Sequence, residues 1–199
     1  MKKLSVVVVV LMMMGLVSGV AFAQPVGDAS VYFVTYFSNN VTATLAAGPG
    51  LPAAPDETVR IINDGDTGGT LWAAYYVFDD SQELTECCAC LITADGINSE
   101  SVQNNLTANP LTGKVPTRGV IKVIGSATPN PTAVLPTPGL HGFATHVQVA
   151  SATSYAVTES PLLDANLGAG EEALLQNLCF YSILLSGSPC TCTPEDHDF

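Results

Sequence analysis

Phe78-Asp79-Asp80-Ser81-Gln82-Glu83-Leu84-Thr85-Glu86-Cys87-Cys88-Ala89-Cys90 joins the end of an apolar, strand-like run to three cysteines held within four positions. The chain has 6 cysteines, and the other three are Cys179, Cys190 and Cys192. They follow about ninety residues downstream, so the most economical reading is a covalent tie between the middle of the chain and its end. Geometry prunes the possible pairings. Cys87 and Cys88 are neighbours with Cα atoms ~3.8 Å apart, below the ~4.4 Å lower limit of an ordinary disulfide. Cys88 and Cys90, or Cys190 and Cys192, would sit ~6.6 Å apart on extended chain with poorly aimed Cβ vectors. If each upstream cysteine pairs with a downstream one, six arrangements remain. Closing a loop of ~90 residues contributes ~4 to 5 kcal/mol in the chain-entropy model, and nested bridges do not add linearly.

A thiolate metal site is the rival reading of the same residues. Zinc knuckles use Cys-x₂₋₄-Cys, whereas this chain offers Cys-Cys-x-Cys and Cys-x-Cys, so oxidised pairs are preferred. A dithiol redox catalyst would use Cys-x-x-Cys, which the sequence does not contain.

The N-terminus supplies the compartment. Lys2 and Lys3 form a basic start, Val6 to Val20 an apolar stretch, and Ala21-Phe22-Ala23 a small-x-small site. Residues 1–23 are therefore expected to be a signal peptide, and residues 24–199 a single β-rich secreted domain. The apolar stretch is interrupted by Gly15, Ser18 and Gly19 and falls short of the ~20 residues a span requires. Neither a lipid-accepting cysteine just after the site nor a later membrane-length apolar run is present, so no membrane span is expected after signal cleavage. Loss of Lys2 and Lys3 leaves four basic against 18 acidic residues, a formal net charge of −14. Such a surface repels phosphate backbones and anionic lipid heads, which argues against nucleic acid as a partner.

Periodicity reads as short strands. Ala29 to Ser38 is rich in β-branched and aromatic residues and reads as a strand buried on both faces. Val41 to Ala47 and Glu57 to Asn63 read as two more, separated by a proline-rich loop from Gly48 to Asp56. Asn63 to Gly69 is the strongest turn signal. Beyond it, Thr70 to Phe78 is apolar on both faces, the pattern of a central strand. Trp72 and its tyrosines are therefore core rather than a sugar-stacking platform. After the cysteines, Leu91 to Thr93 and an Asp95-Gly96 turn lead into a polar stretch running to Asn109-Pro110. Arg118 to Gly125 is a strand, Ser126 to Gly139 an extended proline-rich loop, and Gly142 to Ala150 with Thr153 to Thr158 a further pair. The period then changes. Gly170 to Tyr181 is expected to be a helix, with Glu171 and Glu172 near its start, Ser186-Gly187 as a stop, and a leucine face on the sheet. The fold class that follows is mainly β: an antiparallel sandwich or barrel-like domain with one C-terminal helix, stapled by disulfides.

Val59 to Asn63, Gly68-Gly69, the Phe-Asp-x-x-Gln-Glu-x-x-Glu-Cys-Cys-x-Cys pattern from Phe78 to Cys90, and Asn109-Pro110-Leu111-Thr112-Gly113 resemble a group of secreted bacterial proteins. The resemblance covers about the middle third and the segment around Cys179. It implies a bacterial exported protein and brings no activity, ligand or active-site residue.

Other chemistry is thinly represented. Asp64-x-Asp66-x-Gly68 resembles the start of a calcium loop, but Tyr75 stands where the bidentate Glu belongs, so a plain turn is the better reading. His141 and His146 fall on opposite faces of their strand and are not expected to share a site. Asp79 and Asp80 have the chemistry for glycoside hydrolysis, though strand-end solubility is their commoner role. The acidic tail Glu195-Asp196-His197-Asp198 reads as solvated chain. Asn40-Val41-Thr42 and Asn105-Leu106-Thr107 match a glycan acceptor, which a bacterial-type leader makes uninformative. No serine elbow, zinc helix or phosphate loop occurs. The leading expectation is a secreted, non-enzymatic structural or recognition domain with no cofactor and an unidentified surface or extracellular partner. A secreted hydrolase acting on polysaccharide or peptide through carboxylates, and a thiolate metal-binding protein, stand as alternatives.

Overall fold

A computed structural model of the chain describes residues 31–38, 55–107, 115–151, 154–186, 190 and 192–193. The signal peptide expected at residues 1–23, the strand expected at Val41 to Ala47, most of the loop from Gly48 to Asp56, the Asn109-Pro110 stretch, Gly187 and the acidic tail lie outside the described residues.

The strands are β1 (Tyr32–Ser38), β2 (Thr58–Asn63), β3 (Leu71–Asp79), β4 (Leu84–Ile92), β5 (Ile97–Ser101), β6 (Arg118–Ser126), β7 (Leu140–Ser151), β8 (Ser154–Pro161) and β9 (Leu163–Asp164). A π-helical turn, Val102–Leu106, follows β5, and helix α1 covers Ala169–Ser186. One sheet runs in the order β4-β3-β6-β1-β9 and the other β5-β2-β7-β8. Each pairing is antiparallel. The molecule is thus a two-sheet antiparallel sandwich with one C-terminal helix, as its short strands and late change of period imply.

β3 explains the layering. Leu71, Ala73, Tyr75 and Val77 enter the core between the sheets with Phe33, Phe37, Ile61, Ile121 and Leu140. Ala74 and Tyr76 face the other way and join Tyr32, Ile124, Leu175 and Cys179 in a second core under α1. A strand with no polar face needs a cover on each side. The second sheet supplies one and the helix the other. The Asn63 to Gly69 turn forms as its residues dictate, with Gly65 at φ 78° and Gly68 at φ 66°, conformations that only glycine adopts without cost.

Three expectations need correction. Ile97–Ser101, read as part of a polar stretch, is a strand whose Asn98 and Glu100 point inward. Both are satisfied there: Tyr75 Oη donates to Asn98 Oδ1 at 3.1 Å and Asn98 Nδ2 to Glu100 Oε1 at 2.9 Å. Second, β1 is not buried on both faces, because Tyr36 is exposed. Third, α1 runs to Ser186 and does not dock through one leucine face. Leu175, Cys179 and Ser182 face the sheet, while Leu174 and Leu184 face outward. Leucines lie on several sides of this helix, so pattern alone leaves its rotation open. The covalent bond at Cys179 settles it.

Gly119 marks a point where no side chain fits. A Cβ there would lie 1.8 Å from the Phe78 carbonyl oxygen and 2.8 Å from Phe37 Cε1. Gly119→Ala is expected to destabilise the fold by about 3 kcal/mol, read as a lowered urea midpoint with an unchanged slope.

Candidate functional site

The six cysteines are all paired, upstream to downstream in chain order: Cys87–Cys179, Cys88–Cys190 and Cys90–Cys192. Their Cα separations, 5.8, 5.2 and 5.4 Å, lie within the ordinary range for a disulfide. The cluster itself is strand β4, so alternation distributes its sulfurs. Cys87 points to α1 and bonds Cys179, whereas Cys88 and Cys90 point into the sandwich and bond the tail. Cys190, Cys192 and Thr193 link β4 and β5, each an edge strand of its sheet. Cys190 donates its backbone N–H to the Cys87 carbonyl at 3.4 Å, and Thr193 donates its N–H to Glu100 Oε1 at 2.9 Å. The sulfurs of Cys88, Cys90 and Cys192 lie within 4.8 Å of one another. In this pairing each of them is already bonded to another sulfur, which leaves no thiolate to hold a metal.

The remaining sequence candidates do local structural work. Asp64 Oδ1 accepts from the Asp66 N–H at 3.0 Å, and its Oδ2 meets His141 Nε2 at 2.9 Å on the surface. Asp79 Oδ1 accepts the N–H groups of Ser81 and Glu83, closing the β3–β4 turn. Asp80 forms a surface ion pair with Arg118 at 2.7 Å. His141 and His146 do lie on opposite faces of β7. One is exposed beside Asp64 and the other is buried.

His146 leads to a feature that pattern reading missed. At the sandwich edge opposite the disulfides, β9 covers β1 only at Phe33 and Val34. β7 meanwhile parts from β2 after Ala144. Between them opens a cleft of about 710 Å³ walled by Val34, Thr35, Tyr36, Val120, His146 and Ser160 to Asp164. The His146 ring is 6% exposed and stacks on Tyr36, with centroids 4.2 Å apart and planes 8° from parallel. Burial lowers its pKa, so the imidazole is neutral at pH 7. Its Nδ1 is buried without a hydrogen-bond partner. Ser160 and Asp164 share the walls. The wall residues are drawn from five strands and the β8–β9 link, far apart in sequence. Tyr36 gives no local signal of the cleft, since Tyr32, Phe33 and Phe37 share its strand.

Buried carboxylates lie elsewhere. Glu57 accepts from the Ser38 N–H at 3.0 Å and the Val147 N–H at 3.1 Å, stitching β1 to β7 just beyond the cleft. Burial raises its pKa, and those two hydrogen bonds partly offset the rise. Glu100 is likewise raised by burial and held back by Asn98 and Thr193. Burial alone lifts Glu86 to about 8. None of the three lines the cleft.

Comparison with family models and with curated proteins yields no match. Among solved structures, the crystal structure of Thermotoga maritima 1070 is similar with a TM-score of 0.35 at 15% identity, over 69% of this chain and 94% of that one. That likeness is too loose to carry a function across.

Glu86 gives the protein a pH signature. Between the unfolded carboxyl range and about 8, the folded chain holds a proton that the unfolded chain has lost. Stability therefore falls as pH rises through that window, by at most about 1.4 kcal/mol per unit, and levels off above it. Glu86→Gln removes this slope. Urea midpoints at pH 5 and pH 8 should show the variant gaining on the native protein toward pH 8, and a pH-independent difference would rule the assignment out.

Proposed function

We propose that the protein is an exported, non-enzymatic recognition domain whose cleft beside β1 takes an apolar ligand. The observation that carries this reading is the cleft itself: an aliphatic and aromatic hollow of about 710 Å³ with a stacked, neutral His146 on its wall. Ligand sites are commonly mostly apolar concavities with a few placed polar groups. Val34, Tyr36, Val120, Leu162 and Leu163 supply the apolar contact, and the His146 imidazole provides the polar element. Glu57 and Glu100 are held by hydrogen bonds elsewhere and none of the three buried carboxylates lines this hollow, which favours binding over carboxylate hydrolysis.

Three disulfides point to an oxidising compartment outside the cytoplasm. Among the described residues, no helix is long and apolar enough to cross a membrane. Export through a cleaved leader at residues 1–23, and origin in a bacterium of the group whose cysteine pattern this chain shares, are the finer parts of the same proposal.

N-phenyl-1-naphthylamine, a neutral aromatic probe, should bind the oxidised protein with a dissociation constant of the order of 10 µM. Leu163 is exposed on the rim, so Leu163→Asp leaves the fold intact while placing a charge at the mouth. Probe fluorescence should fall at least about tenfold in apparent affinity in that variant and in Val120→Asp. Equal binding by all three proteins would remove the cleft as the site.

A further inference from the structure

Helix α1 carries an apolar stripe that stands exposed among the described residues. Leu174, Phe180, Tyr181, Leu184 and Leu185 are between 50 and 71% exposed, while Leu175 and Cys179 are buried beneath them. Positions 174, 181, 184 and 185 fall at the i, i+7, i+10 and i+11 spacing of one helical face. From Ala173 to Ser186 there is no charged residue. The helix's acidic residues, Glu171 and Glu172, sit in its first turn. Glu171 is turned inward to Lys122 and Tyr32, and the hydrogen bond from Lys122 lowers its pKa. A helix apolar on both faces is characteristically covered on both.

We propose that this outer face of α1 is the contact surface of a homodimer, two copies pairing antiparallel about a two-fold axis near Asn177 and Tyr181. Three considerations select a second copy of this chain. The first is area. The five side chains present roughly 550 Å² per copy, so a symmetric pair buries about 1,100 Å² before its rim is counted. That exceeds ordinary lattice contacts and clears the ~1,000 Å² expected of a biological interface. The second is charge. The whole protein is strongly acidic, yet the stripe is neutral, so two copies meet there without opposing carboxylates. Antiparallel pairing also brings opposite dipole ends together and keeps the two acidic first turns apart. A membrane-surface helix would flank its apolar face with Lys or Arg, and α1 has no basic residue in its last turn. The third is rigidity. The Cys87–Cys179 bridge fixes the middle of α1, so little ordering remains to oppose association. The edge-on Phe180–Tyr181 pair, centroids 5.6 Å apart, sits near the centre of the stripe, where aromatic anchors contribute most to binding.

Sedimentation equilibrium of the oxidised mature protein from about 1 to about 100 µM should show a monomer–dimer equilibrium with a dissociation constant of the order of 10 µM. Tyr181→Asp and Leu184→Asp should each weaken it at least about 100-fold. Both positions are more than half exposed, so the variants keep the native far-UV spectrum and all three disulfides. Leu163→Asp, at the cleft, should dimerise like the native chain, which separates this proposal from the ligand site. A native protein monomeric throughout, or a dimer untouched by both helix variants, overturns it. So does retention of the monomer by neutral lipid vesicles through the same two residues.

Discussion

A single alternation organises the molecule: along β4, Cys87 faces the helix and Cys88 and Cys90 face the other sheet. One nine-residue strand is thereby bonded on both sides, to α1 through Cys179 and to the tail through Cys190 and Cys192. The loops closed are long, with separations of 92 and 102 residues, so each bond removes much of the unfolded chain's freedom. Only adjacent cysteines can bond both layers from one strand at one level. Cys87-Cys88 has that form, and Cys90 matches Cys192 because both partner segments advance by two residues.

The tail is more than a tether. β4 and β5 are the edges of their respective sheets, and an uncovered edge invites pairing with another chain. Cys190 meets the first of them, its N–H on the Cys87 carbonyl, while Thr193 reaches the Glu100 side chain on β5. Glu100 in turn belongs to a buried chain of hydrogen bonds through Asn98 to Tyr75. Each polar group in that chain has a partner, which limits the cost of burying a carboxylate. Thr193 thus contributes a hydrogen-bond partner to the interior as well as following the covalent ties at Cys190 and Cys192.

Much of this architecture is visible in the sequence because physical rules act locally there. Two apolar faces on Thr70 to Phe78 require a central strand, Asn63 to Gly69 requires a turn, and cysteine spacing confines the bridges to cross-pairings. What stayed hidden was decided by tertiary contact. β5 reads as polar because its inward residues, Asn98 and Glu100, find partners in Tyr75 and Thr193, both distant in sequence, as well as in each other. The rotation of α1 was hidden because leucine occurs around its circumference. The chain-order pairing was one of six until β4's facing and the course of the tail were known. The cleft was the least legible feature, since it depends on where strands stop pairing, which residue type does not report.

The two edges of the sandwich therefore divide its work. The β4–β5 edge is closed by two disulfides and a buried hydrogen-bond network, and deformation there must break covalent bonds or orphan Glu100. At the opposite edge, β9 supplies two residues of pairing, and Glu57 spans from the end of β1 to β7 beside the Tyr36–His146 stack. A carboxylate that holds two backbone N–H groups keeps the sheets in register without filling the space between them. Val34, Tyr36, Val120 and His146 consequently surround a hollow that a longer β9 would have filled. A binding cleft beside a weakly paired edge is tolerable because the far edge is locked. The same covalent economy that fastens Cys87 to Cys179 holds α1 in place with its apolar side outward.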